Sequence, residues 1–105
     1  MQSMMKRYVL SKLAETDLSG IWRYTVENWS RQQADIYVNN LLHACEVIAT
    51  APTIVGTPYD QIREGYWKYR CAHHVLFYKV LEDGIPFITR VLHERMDFDR
   101  HLLPV

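Results

Sequence analysis

Four of the five histidines fall in the last third of the chain, at His73, His74, His93 and His101, among arginines and acids. Histidine exchanges protons near neutral pH, and arginine offers a planar fork of donors to anionic oxygens. Such a set has the parts that RNA cleavage asks for: a base for the 2′-hydroxyl, an acid for the leaving group, and cations around the scissile phosphate. His93 and His101 suit the acid–base roles, and Arg70, Arg90 and Arg95 the cationic one. The blander reading is that Arg90 and Arg95 pair with Glu94, Asp97 or Asp99 and hold the end of the chain to the rest of the fold. Exposed pairs of that kind contribute little each.

Other chemistries find less support. His93, Asp97 and His101 are spaced by four, and on one helix they would share a face with zinc-ligand character. His93, however, falls at the end of a predicted strand, so no metal or other cofactor is expected. His73 and His74 are adjacent in an extended stretch and point to opposite sides. Cys45 and Cys71 lack metal-ligand spacing, and no serine or cysteine sits in a nucleophile motif. Twelve basic residues balance twelve acidic ones, so attraction to nucleic acid needs a local patch. The best candidate is 62–79, where Arg63, Lys68, Arg70 and Lys79 face only Glu64. Beside it, Tyr66, Trp67 and Tyr69 are of the types that stack on bases or anchor a partner peptide, and the neutral overall charge favours the partner. Trp22 and Tyr37 are expected in the core.

These residues need elements to position them. Residues 6–10 read as a strand. Ser11 can cap the helix that follows to Asn28, where Ala14, Leu18, Ile21, Trp22, Thr25 and Trp29 form one face. Gly20 inside this helix costs roughly 1 kcal/mol against alanine, which predicts close packing there. Ser30 with Gln33 is a capping box opening a second helix to about Ala49, with Ala34, Tyr37, Val38, Leu41, Cys45 and Ile48 as its stripe. Pro52 closes it, and 51–65 is predicted as a long loop. Strands follow at Tyr66–Cys71, His74–Val80 and Ile85–His93, with Glu82-Asp83-Gly84 as a turn. In the middle strand, Val75 and Phe77 share one face and Leu76, Tyr78 and Val80 the other. Arg95–Leu102 reads as a short helix or turn anchored by Phe98 and Leu102. The order β-α-α-β-β-β predicts a two-layer α+β fold, a helical hairpin covering one face of a mainly antiparallel sheet. A chain of 105 residues is expected to form one domain, with 1–4 a loose extension ahead of a start at Met4 or Met5. The start lacks an apolar signal segment, and no run approaches membrane-spanning length. With two unpaired thiols, that predicts a cytoplasmic protein without a membrane partner.

The ordered set of residues resembles the ParE branch of the RelE/ParE toxins of type II toxin–antitoxin systems, from about Tyr8 to Leu102. It runs from Tyr8–Ser11 through Ala14, Asp17-Leu18, Trp29, Gln33-Ala34, Pro52 and Gly56 to Tyr69-Arg70, His74 and Phe77-Tyr78. Its most specific block is Arg90-Val91-Leu92-His93-Glu94-Arg95-Met96-Asp97, followed by Arg100-His101-Leu102. One departure is that the positions before His74, often glycine or small polar or basic in the family, are Cys71, Ala72 and His73. The resemblance implies a toxin that inhibits growth by poisoning DNA gyrase, trapping it on cleaved DNA, and that serves plasmid maintenance. It implies neutralisation by a ParD-like antitoxin and no sequence-specific DNA binding by this chain alone. On that reading the chain is a binding protein with no catalytic residue, and Arg90, His93, Arg95, Met96, Asp97 and Arg100 are the candidates for toxicity. The competing role for Arg90, His93 and Asp97 is to fix the fold. The alternative function is a ribosome-dependent mRNA endonuclease of the related RelE type, using the histidines and arginines above. A third is a decayed toxin retained only as an antitoxin's partner.

Overall fold

The structure, a computed structural model, describes residues 7–61 and 63–102; the expected extension at 1–4 lies outside them. The chain runs β1 (Val9–Leu10), α1 (Lys12–Asn28), α2 (Arg31–Thr50), α3 (Pro52–Val55), β2 (Thr57–Pro58), β3 (Trp67–Cys71), β4 (His74–Val80), β5 (Pro86–His93) and α4 (Phe98–Leu102). The five strands form one sheet in the order β1-β5-β4-β3-β2. All neighbours are antiparallel except β1, which lies parallel to β5 with Val9 opposite Phe87 and Leu10 opposite Ile88.

The helix starts follow from local chemistry. The Ser11 hydroxyl accepts from the Ala14 amide and the Ser30 hydroxyl from the Gln33 amide, each satisfying an amide that the first helical turn leaves free. Ala14, Leu18 and Thr25 of α1 and Ala34, Leu41, Ala44, Cys45 and Ile48 of α2 are buried. All of these but Thr25 and Ala34 cluster with Leu76, Tyr78, Ile88 and Val91 on the facing side of the sheet. Burial pushes the Cys45 thiol up to about 12, so it stays protonated and behaves as a small apolar group.

Several expectations need correction. Strand β1 is only two residues long within 7–10, and β3 starts at Trp67. Pro52 does not simply end α2: it opens α3 at a first-turn position, where its missing amide costs nothing. The predicted loop 51–65 therefore contains α3 and β2. The segment read as helix or turn divides into a turn at 94–97 and a helix at Phe98–Leu102, and, as expected, His93, Asp97 and His101 do not share a helix face. The hairpin covers one face of the sheet as predicted, but the other face is covered too. There Tyr59, Tyr66, Phe98 and Leu102 pack on Val75, Phe77 and Leu92, with Phe98 edge-on to Phe77 at 4.9 Å between ring centres. Strand β4 is thus buried on both sides over His74–Tyr78, while the alternation read from its sequence holds. Tyr66 belongs to that second cluster, and Trp67 stacks on Tyr78 at 6.5 Å on the helical side. Neither is a free platform for bases. Lys68 and Lys79 lie over the rings of Tyr59 and Tyr66.

Candidate functional site

The residues singled out by chemistry gather where β5 runs past the end of β1. Beyond Leu10 that flank of β5 has no strand beside it. Polar groups of the chain itself close the gap. Ser11 donates its amide to Ile88 (2.9 Å) and its hydroxyl to Thr89 (2.7 Å). Asp17 of α1 accepts the Val91 amide at 2.9 Å. The same carboxylate takes both arms of Arg90, Nε at 2.8 Å and Nη2 at 2.9 Å. Arg90 Nη1 reaches the His101 carbonyl of α4 at 3.1 Å. Arg90 therefore ties the helical layer, the sheet and α4 together. Its side chain is 17% exposed and that of Asp17 13%, so most of the charge is shielded from water. Arg90 does fasten the terminal helix, as the blander reading expects, but its acid is Asp17, 73 residues away, and not Glu94, Asp97 or Asp99. One signal in the sequence could have found it: Asp17 sits three residues after Ala14 and four before Ile21, an acid on the side of α1 that faces the fold.

The other predicted residues divide between two settings. Glu94 pairs with Arg70 and with His73 Nδ1 at 2.9 Å; the His73 hydrogen bond, with Arg70 beside it, holds the Glu94 carboxyl below its usual range. His74, opposite His93 in the β4–β5 register, is buried under α2 with Nδ1 at 2.7 Å from the Tyr37 hydroxyl. The His73 amide donates to that hydroxyl at 3.2 Å. The Tyr37 hydroxyl thereby bridges the His74 ring and the His73 amide. Burial first, then the neighbouring His93 and His73, lowers the His74 pKa to about 4; it is a neutral histidine fixed in place. His93 uses Nδ1 to accept the Arg95 amide at 3.1 Å. Arg95, Met96, Asp97, Arg100 and His101 are exposed.

These elements frame a groove of about 1250 Å³ between the turn end of the helical hairpin, the start of β4 and the end of β5. Ile21, Tyr24 and Trp29 wall one side, Met96 and Val91 the other, with Tyr37, His74 and His93 also in its lining. Trp29 is 73% exposed, Tyr24 64% and Met96 45%. The prediction that Trp29 is part of the packed stripe is corrected: it stands at the rim. So is the expectation of tight packing at Gly20, which lines the groove with no atom of the described residues, its own helix backbone aside, close to where its side chain would be. Of the candidate toxicity residues, His93 and Met96 reach this groove and Arg90 is enclosed behind it. Tyr24 and Gly20 were not singled out as a surface; their positions on the predicted helix carried no sign of what would be left uncovered.

A cluster of exposed aromatic and thioether side chains is the composition of partner surfaces. Residues 8–98 match the family model described as ParE toxin of type II toxin–antitoxin system, parDE. The chain is 43% identical over 99 residues to Toxin ParE1 of Mycobacterium tuberculosis, covering 94% of this chain and 100% of that one. It is 39% identical to Toxin ParE1 of Caulobacter vibrioides, covering 93% and 99%. Among solved structures, the fold is similar to that in the chromosomal ParDE TA system from P. aeruginosa (TM-score 0.73, 15% identity, 87% of this chain and 98% of that one). It is also similar to that in the toxin–antitoxin complex RelBE2 from Mycobacterium tuberculosis (TM-score 0.56, 19% identity, 89% and 97%).

Proposed function

This chain belongs to the ParE toxins of type II toxin–antitoxin systems, and from that membership we propose that it acts by binding, as an inhibitor of DNA gyrase neutralised by a ParD-like antitoxin. The observation that supports a binding mode of action is the state of two of the three arginines named for a nuclease's cationic role. Arg90 is committed to Asp17 and Arg70 to Glu94, so neither stands as an uncompensated cation ready for a phosphate. His74 adds no acid at neutral pH, because its neutral form is the one the fold holds. The exposed part of the terminal block, Arg95, Met96, Asp97 and Arg100 with His93, is the surface assigned to toxicity. The groove beneath it is assigned to the antitoxin, whose segment would cover Tyr24, Trp29 and Met96. Both activities place the protein in the cytoplasm; among the described residues no helix is long and apolar enough to cross a membrane.

The test is a plasmid supercoiling assay with purified chain, gyrase and ATP, run beside translation of a reporter mRNA. The expected result is loss of supercoiling with accumulated cleaved DNA and intact translation. Intact supercoiling with mRNA cut on the ribosome would replace this reading with the nuclease, and His93→Ala with His101→Ala would then be the first changes to make.

A further inference from the structure

The ridge of α1 that walls the groove has a gap in it. Thr16, Gly20 and Tyr24 follow one another at four-residue steps and all line the groove. Rows at this spacing are the ridges through which helices pack against one another. At Gly20 the ridge is missing. Beyond its own helix backbone, a Cβ there would meet no atom of the described residues within 4 Å, so no internal contact among them requires glycine. Its φ lies outside the left-handed region, so no backbone conformation requires it either. The helix nonetheless carries the propensity cost of a glycine in its interior.

Resting on the antitoxin reading above, we propose that Gly20 is a docking notch: an amphipathic helix of the antitoxin crosses α1 there, seats one apolar side chain between Thr16 and Tyr24, and covers Trp29 and Met96. The charge of the groove fits an apolar face. Among the described residues its one lining carboxylate is Asp17, and both oxygens of Asp17 are taken by Arg90 and the Val91 amide. The wall offers side-chain surface and little free backbone, which suits a helix better than an added strand. Strand β4 is interior, and on β5 the Thr89 carbonyl, Val91 amide and His93 carbonyl are bonded to Ser11, Asp17 and Met96.

The antitoxin encoded with this chain is titrated into the purified full chain and into Gly20→Ala and Gly20→Leu, with binding followed by calorimetry and the Tm of each free chain measured alongside. Alanine is expected to raise the Tm of the free chain by a few degrees, because only the helix propensity changes. It is expected to weaken antitoxin binding about tenfold, and leucine, which fills the notch, at least about a hundredfold. Affinity equal to or tighter than wild type in both variants would overturn the notch while leaving the antitoxin reading standing. A lower Tm for Gly20→Ala would overturn it in favour of an internal packing role. Failure of the unaltered chain to bind would overturn the antitoxin reading itself, and the notch with it.

Discussion

Asp17 does two jobs with one carboxylate. It closes the flank of β5 by accepting the Val91 amide, and it holds Arg90 in a two-pronged pair. Removing one member of a mostly shielded pair leaves the other charged and uncompensated, which is the costly case. Arg90→Met is therefore expected to destabilise the fold by about 2–4 kcal/mol in urea denaturation. Asp17→Leu with Arg90→Met should cost less than the sum of the single changes, because the partners are coupled. A loss below about 0.5 kcal/mol for Arg90→Met would place this pair among ordinary surface bridges. His74 gives a second expectation. Its folded pKa of about 4 lies below the ordinary 6.5, so between those values the unfolded chain takes up a proton that the folded chain refuses. Stability should be at its full value above pH 6.5 and fall as pH drops through this window. His74→Gln, which keeps a polar neighbour for Tyr37, should flatten the slope there; an unchanged slope would assign the titration elsewhere.

At the scale of elements, the parts written in local chemistry were legible and the parts written in distance were not. Ser11 and Ser30 announce the two helices because a cap is a bond between neighbours, and β4 was readable from alternation alone. Strand β2 is two residues long and has no period to read. The second cluster escaped because Tyr59 and Leu102 lie far apart in the chain and meet only across β4. The same holds for the candidate site: the terminal block was found, whereas the Asp17 partner and the Tyr24–Trp29 rim depend on how the hairpin sits. The unusual triplet before His74 has a structural counterpart. Ala72 takes a left-handed φ of 55°, a conformation that glycine adopts without steric cost, and the Tyr37 hydroxyl bonds the next amide along. At Gly56 it is close packing, not backbone conformation, that calls for glycine. It follows α3 and passes directly against the hydroxyl of Tyr78, which donates to the Pro52 carbonyl at 2.5 Å. Gly56→Ala should push that ring aside and break its bond, costing about 1–3 kcal/mol; thermal unfolding of this variant at the wild-type Tm would contradict that.

As a whole molecule the protein is a slab of 42 × 39 × 21 Å, one sheet with apolar cover on each side. A thin slab has much surface for its core, and here part of that surface is aromatic and uncovered. Its middle is late in the making. Strand β5 lies between β1 and β4, so the first strand has no neighbour until Phe87 and Ile88 exist, and Asp17 waits 73 residues for Arg90. At ordinary rates of synthesis that delay is roughly 4–15 s. Throughout it the nascent chain has its helices but no sheet for them to rest on, and the last turn, Phe98–Leu102, is still to come. A ribosome making this protein therefore carries an unfinished thread for nearly the whole of its task, and the toxin fold takes shape only as the thread is let go.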